Sequence, residues 1–141
     1  MLTFLKPYVG YVDGCSRSTW NLSSTAWAIF SPNGKLVSMQ WIFIGHSTNN
    51  IIEYSAMVEL WYDAISHGIR RIVIRLHSQL VLLQLANIYL VRNHAILCMV
   101  LRVRLLEIHF NFIQYEHIST NLNTMENSLD NLVLDRHLQQ I

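Results

Sequence analysis

Residues 74–81 read IRLHSQLV, in which His77 stands where a β-branched apolar run gives way to residues with helical spacing. In open α/β sheets, ligands bind at the carboxyl ends of the strands, so a polar side chain at this point is a candidate for binding or catalysis. A histidine after a strand can also be a turn residue or a helix cap. Only its neighbours can distinguish these interpretations.

The elements around His77 are predicted from the pattern of apolar residues and turn residues. Residues 8–12, 25–30 and 36–44 predict three strands in an antiparallel meander. Residues 51–66 predict a helix that carries Ile52, Ala56, Leu60 and Ala64 on one face and ends at His67-Gly68. The later predicted elements are strand 71–76, helices 78–87 and 94–108, strand 110–115 and a last helix over about 124–137.

The long helical connection before strand 71–76 requires parallel pairing with the first strand or one of its neighbours. The sequence therefore predicts an α/β domain whose mixed five-stranded sheet is antiparallel on one side and parallel on the other.

Composition limits the classes to which the chain can belong. It has 141 residues, of which 52% are hydrophobic and 13% charged, so we expect residues 1–141 to form a single domain with its core at about 8–137. The formal net charge is +1. Nucleic acid would therefore be attracted by a local group of residues and not by the field of the whole molecule. The longest weakly charged run, residues 76–91, is interrupted by polar side chains, so no association with a membrane is expected.

The two cysteines, Cys15 and Cys98, lie far apart, and their spacing fits neither a disulfide framework nor a zinc site. The first ten residues lack the basic start and the small-residue cleavage site of a secretory signal. We therefore expect reduced cysteines and a cytoplasmic or nuclear protein.

Five motifs, in the same order along nearly the whole chain, resemble those of the type 1 ribonuclease H domain. They are YVDGCSRS, SPNGKLV, TNNIIEYSAMVEL, HSQLV and NTMENSLDNLV. The most similar variety is that of plant gypsy-type retrotransposon polyproteins, in which we expect FDGSS, SPEGK, TNNEAEYEAL, DSQLV and NxxADALANLA at these places. TNNxxEY followed by xSQLV at this spacing is specific. The resemblance implies a ribonuclease H-like fold and cleavage of the RNA strand of RNA–DNA hybrids.

In that family, four carboxylates hold two magnesium ions, and the resemblance places the four positions at Asp13, Glu53, His77 and Asn127. Two adjacent hard cations require anionic oxygen ligands, one ion activating water and the other stabilising the leaving oxygen. Asp13 and Glu53 keep the carboxylate and are the expected metal ligands. His77 supplies an imidazole, which suits magnesium poorly, and Asn127 supplies an uncharged amide.

We therefore expect at most one weakly held Mg²⁺ or Mn²⁺ ion, weak binding of an RNA–DNA hybrid or another nucleic acid, and little or no cleavage. Two alternatives remain, an active metal-dependent hybrid endoribonuclease and a protein-interaction module of the same fold, whose protein partners the sequence does not indicate. The resemblance implies nucleic-acid contacts at Arg17, Asn49, Asn50 and Ser78.

Structural interpretations of the same residues stay open at this point. Asp13 before Gly14 is typical of a turn, and Asn50 with Glu53 fits a helix capping box. Asp130 would replace the fourth carboxylate only if the last helix were shifted by almost one turn.

Further departures from the family pattern lie at Trp27 and Thr120. Trp27 replaces a small residue of a glycine-rich strand, so it either obstructs the nucleic-acid side or fills the core. Thr120 stands where the family has an arginine that contacts phosphate. The aromatic residues predicted to pack in the core or on the sheet are Trp27, Trp41, Phe43, Tyr54, Trp61 and Tyr62.

Overall fold

The computed structural model describes residues 6–17, 22–43, 45 and 49–118, with the backbone alone for 13–17, 22, 23 and 49. Its elements are β1 (Tyr8–Arg17), β2 (Leu22–Phe30), β3 (Leu36–Phe43), α1 (Asn49–Ser66), β4 (Arg71–Leu76), α2 (Gln79–Leu85), α3 (His94–Glu107) and β5 (Phe112–His117). The strands form one sheet in the order β3-β2-β1-β4-β5. Pairing is antiparallel between β1, β2 and β3 and parallel between β1, β4 and β5. The predicted mixed sheet is confirmed.

Several element boundaries differ from the predicted ones. β1 does not end at Val12, because Asp13 and Gly14 continue the antiparallel ladder opposite Ala26 and Thr25. The interpretation of Asp13 as a turn residue is therefore wrong. α2 ends at Leu85, just before Asn87 adopts a left-handed conformation with φ of 62°. β5 begins at Phe112 instead of residue 110, since its ladder with β4 starts there.

The core lies between the sheet and α1, which buries the predicted face of Ile52, Ala56, Leu60 and Ala64. β1 passes close beneath this helix at Gly10. A Cβ atom added to Gly10 would lie 2.9 Å from Cδ1 of Leu60 and 3.1 Å from Cδ1 of Ile74. The absence of a side chain at Gly10 therefore allows the helix to approach the sheet.

Trp27 faces the core, and its indole is buried beneath α1. Its Nε1 donates to Oδ2 of Asp63 at 2.9 Å, and the Ser38 hydroxyl donates to the same oxygen at 2.5 Å. Of the two orientations open to Trp27, the structure selects the inward one.

The core positions predicted for the other aromatic residues are confirmed only in part. Tyr54 and Trp61 are fully buried, and the Trp61 ring lies 4.6 Å from that of Phe110. Trp41 on β3 and Tyr62 on α1 are exposed by 39% and 53%, so neither of them packs in the core.

The last predicted helix, over about 124–137, lies outside the described residues, as do Thr120, Asn127 and Asp130. Within the described ranges, the helices are too short or too polar to cross a membrane.

Candidate functional site

Glu53 lies in the second turn of α1 and points towards the segment that follows β4. The side chain is 95% buried, with a relative exposure of 5%, and Oε1 accepts a long hydrogen bond of 3.4 Å from the backbone N–H of Ser78. α1 begins at Asn49, so Asn50 lies inside the helix and not at the cap position that a capping box requires. The contact with Ser78 thus places the Glu53 carboxylate at the end of the sheet.

His77 directly follows the last residue of β4 and is partly buried. The next residue, Ser78, is the N-cap of α2, because its hydroxyl accepts a hydrogen bond of 3.2 Å from the backbone N–H of Val81. Ser78 therefore caps α2, and the helix-cap interpretation of His77 is wrong.

Asp13 lies on the adjacent strand β1, one residue beyond its last pair with β4 and at the same end of β4 as His77. β1 and β4 are parallel, with Val12 opposite Leu76, so the next residue of each strand emerges side by side. β2 joins this region to α1, since the Thr25 hydroxyl donates to the carbonyl of Ile52 at 3.4 Å. The backbone of Asp13 thus lies near the segment that carries His77 and Ser78, while the Asp13 side chain is outside the description.

The predicted site residues are therefore only partly assembled from described atoms. Glu53, His77 and Ser78 meet at one sheet end, and Asn50 lies in the first turn of α1. Arg17 and Asn49 are described by their backbone alone, and Asn127 lies beyond the described residues. The metal and nucleic-acid roles assigned to these residues stay predictions.

Few metal-binding side chains are described at this sheet end. Glu53 supplies one carboxylate and His77 one imidazole, and no group of three or more acidic, histidine or cysteine side chains occurs among the described side chains. Adding Asp13 and Asn127, as the motifs predict, gives two carboxylates, one imidazole and one amide. The motifs therefore predict fewer anionic oxygen ligands than two adjacent Mg²⁺ ions require.

Arg75 has a structural role that the sequence pattern did not reveal. It lies on β4, an interior strand of the sheet. Its Nη1 donates to the Tyr11 hydroxyl at 2.6 Å, and its Nε donates to Glu116 at 3.2 Å. Arg75 therefore links β1, β4 and β5, an arrangement that becomes visible only when the strand order is known.

A family model described as reverse transcriptase-like matches residues 11–132. The chain belongs to the reverse transcriptase-like family. Over 125 residues, this reverse transcriptase-like chain is 30% identical to ribonuclease HI of Halobacterium salinarum, covering 89% of the chain and 63% of that relative. It is also 28% identical over 96 residues to a bifunctional protein of Mycobacterium tuberculosis, covering 68% of the chain and 26% of the relative. The chain thus spans less than two thirds of the length of these relatives.

Solved structures show the same fold. The ribonuclease H1 of Halobacterium salinarum superposes with a TM-score of 0.87 and 28% identity over 92% of this chain and 98% of that one. LC11-RNase H1 in complex with an RNA/DNA hybrid superposes with a TM-score of 0.86 over 93% of this chain and 99% of that one, and at 21% identity it supports the fold alone. The reverse transcriptase-like chain is therefore a type 1 ribonuclease H-like domain, as its motifs predicted.

Proposed function

We propose that this domain binds RNA–DNA hybrids, or another nucleic acid, at the sheet end that carries Glu53 and His77, and that it cleaves them weakly or not at all. The ribonuclease H relatives support the choice of substrate class. The inward orientation of Trp27 supports binding, because the indole is buried beneath α1 and does not project from the opposite side of the sheet.

The observation that carries the proposal is the position of His77. It follows β4 directly and precedes Ser78, whose N–H contacts the buried carboxylate of Glu53. An imidazole at this point contributes no negative charge at neutral pH and is a poor ligand for magnesium. With a histidine at this position, the site has one carboxylate fewer to hold magnesium. This is one reason to expect hybrid binding without efficient cleavage.

Asp13 and Glu53 are the proposed metal ligands, and they would hold at most one Mg²⁺ or Mn²⁺ ion weakly. Manganese accepts an imidazole nitrogen more readily than magnesium does, so Mn²⁺ should bind more tightly if His77 takes part. Isothermal titration of the chain with each ion tests this, with Glu53→Gln as the variant expected to lose the heat of binding.

The function is tested with the full chain and a fluorescein-labelled RNA–DNA hybrid at low salt. We expect the fluorescence anisotropy to rise on binding, and the affinity to fall as salt is added because phosphate contacts release counterions. We expect no cleavage above background in Mg²⁺ and partial cleavage at most in Mn²⁺. Glu53→Gln is the matched control for any residual cleavage.

Two other functions predict different results in the same experiment. Robust cleavage in Mg²⁺ would contradict our proposal and indicate an active endoribonuclease, for which the retained Asp13 and Glu53 argue. Absence of binding at low salt to the hybrid and to single-stranded and double-stranded RNA and DNA would also contradict it and would favour a protein-interaction module of the same fold.

Three finer features are proposed from the sequence motifs. The domain descends from the plant gypsy-type retrotransposon polyprotein variety, as the motifs TNNIIEY and HSQLV suggest. Residues 1–141 fold as one domain, so limited proteolysis should leave one protected fragment with a core of about 8–137. The protein resides in the cytoplasm or nucleus, which microscopy of a tagged chain would test.

A further inference from the structure

Helix α3 carries apolar side chains on two opposite sides. The side that packs in the core consists of Ile96, Val100, Val103 and Leu106, all of which are buried. The outer side consists of Leu97, Leu101, Leu105 and Ile108, which are exposed by 39%, 54%, 67% and 77%. Their spacing of four, four and three residues aligns them in one stripe along the helix.

The connection between α2 and α3 extends this stripe. Ile88 and Leu90 are exposed by 64% and 79%. An open cavity of about 330 Å³ separates this connection from α3, and Leu97 and Val100 form part of its wall. Because Leu97 belongs to both the cavity and the stripe, the apolar region is continuous. We call it the α3 surface, and its members are Ile88, Leu90, Leu97, Leu101, Leu105 and Ile108.

The α3 surface is large for an exposed apolar patch. Six large and substantially exposed apolar side chains amount to roughly 600 Å², the upper end of what the largest patch of a typical monomer reaches. Patches of this size, when bordered by polar residues, are typical of sites that bind other proteins. The cavity beside Leu97 has room for one large side chain of a partner.

The segment that carries the α3 surface is mostly basic. Between residues 86 and 111 the sequence has three arginines, Arg92, Arg102 and Arg104, and one acidic residue, Glu107. Glu107 accepts hydrogen bonds from Arg104 and from the Tyr115 hydroxyl, so its charge is used inside the fold. Arg92 and Arg102 are exposed.

We propose that the α3 surface binds an amphipathic helix of another polypeptide, with apolar side chains facing the leucines and acidic residues on the flanks. A straight apolar stripe beside a cavity is the geometry of helix-in-groove recognition, in which anchors recur at intervals of three and four residues. A second copy of this chain fits less well, because its arginines would lie against arginines of the same sign. Acidic flanks complement Arg92 and Arg102.

The test uses the full chain and three labelled synthetic helical peptides. The first has leucines spaced to match Leu97, Leu101 and Leu105, with glutamates on the flanks. The second replaces these glutamates by lysines, and the third has the composition of the first with its leucines dispersed. By fluorescence anisotropy, we expect the first peptide to bind at least tenfold more tightly than either of the others, and to bind less tightly as salt is added.

Variants locate the binding. Leu101→Gln with Leu105→Gln should weaken binding of the first peptide at least tenfold, whereas Leu36→Gln should not change it. Leu36 is a matched control, because it lies on β3 and is 53% exposed, like Leu101 at 54%. Arg102→Gln should reduce the preference for glutamate over lysine flanks several-fold. Circular dichroism melts establish that each variant is folded.

Three results would overturn the proposal. Reversible dimerisation of the chain alone in sedimentation, abolished by the double leucine variant, would assign the α3 surface to a second copy. No peptide binding together with a large loss of thermal stability in the double variant would show that the chain itself covers this surface. Equal binding of the glutamate and lysine peptides would refute the acidic partner. None of these results depends on hybrid binding or cleavage.

Discussion

At the scale of single residues, the proposed metal site depends on the type of side chain that follows β4. Glu53 is buried, and its carboxylate contacts the backbone of Ser78, the residue that follows His77. A carboxylate at residue 77 would add a negative charge and an oxygen ligand beside it. The imidazole of His77 adds neither a negative charge nor an oxygen ligand at neutral pH.

Restoring aspartates at both altered positions tests this reasoning. His77→Asp with Asn127→Asp should raise hybrid cleavage in Mg²⁺ by about a hundredfold or more over the unmodified chain, since the loss of even one such catalytic group commonly costs that much. The measurement is the initial rate of cleavage of a labelled hybrid at saturating protein. Adding Glu53→Gln to the double variant should abolish the gain. A double variant that binds hybrid but stays inactive would contradict the assignment of His77 and Asn127.

At the scale of elements, Asp63 joins α1 to two strands. Its Oδ2 accepts from Nε1 of Trp27 on β2 and from the hydroxyl of Ser38 on β3. Both donors belong to buried residues, so water cannot readily replace Asp63 as their acceptor. Gly10 determines a second contact between elements, the close passage of β1 beneath Leu60.

Removing the acceptor should destabilise the protein. Asp63→Ala is expected to lower the free energy of unfolding by about 2–4 kcal/mol, because two buried donors lose their partner. Urea denaturation followed by tryptophan fluorescence measures the change. Glu59→Ala, a partly exposed acidic residue of the same helix, is the matched control and should change stability by about 0.5 kcal/mol or less. Equal effects of the two substitutions would contradict the role of Asp63.

Filling the space at Gly10 should also destabilise the protein. Gly10→Val is expected to cost about 1–3 kcal/mol, because its side chain forces Leu60 and Ile74 away from their packed positions. Gly10→Ala should cost less, since the nearest atoms are the ends of flexible side chains that can move. The same urea experiment measures both variants, and a valine variant as stable as the native chain would disprove the close approach.

At the scale of the whole molecule, a polar network connects the three described helices with β5. The Tyr54 hydroxyl on α1 donates to Gln84 of α2 at 2.7 Å, and the Tyr115 hydroxyl on β5 donates to Glu107 of α3. Arg104 of α3 donates to Glu107 and to the carbonyl of Leu85. Burial raises the pKa of Tyr54 to about 12. Burial, together with the charge of Glu107, also raises the pKa of Tyr115.

These shifts predict how stability responds to alkaline pH. The folded state keeps tyrosine protons that the unfolded chain releases near pH 10, so the free energy of unfolding should fall as the pH rises from 10 to about 12. Urea denaturation at successive pH values measures the slope. Tyr115→Phe should make the slope shallower, while the exposed matched control Tyr62→Phe should leave it unchanged. An identical slope in the native and Tyr115→Phe proteins would contradict the network.

Much of this architecture follows from the sequence by itself. Alternation and helical spacing are local properties, so they determined the order of elements, the buried face Ile52, Ala56, Leu60 and Ala64, and the mixed sheet. Motif spacing identified the ribonuclease H-like family and marked His77 as a change of chemistry.

Only the tertiary structure decided which side of a strand or helix is buried and which distant residues come into contact. The sequence of β2 does not show which face of the sheet Trp27 occupies. Its inward orientation and its contact with Asp63 depend on where α1 packs. The contact of Glu53 with Ser78 joins residues 25 positions apart, which no local pattern specifies. α3 is apolar on both sides, so periodicity alone could not show that Val103 is buried and Leu105 exposed. Such choices depend on which elements pack together, and packing is a property of the whole chain.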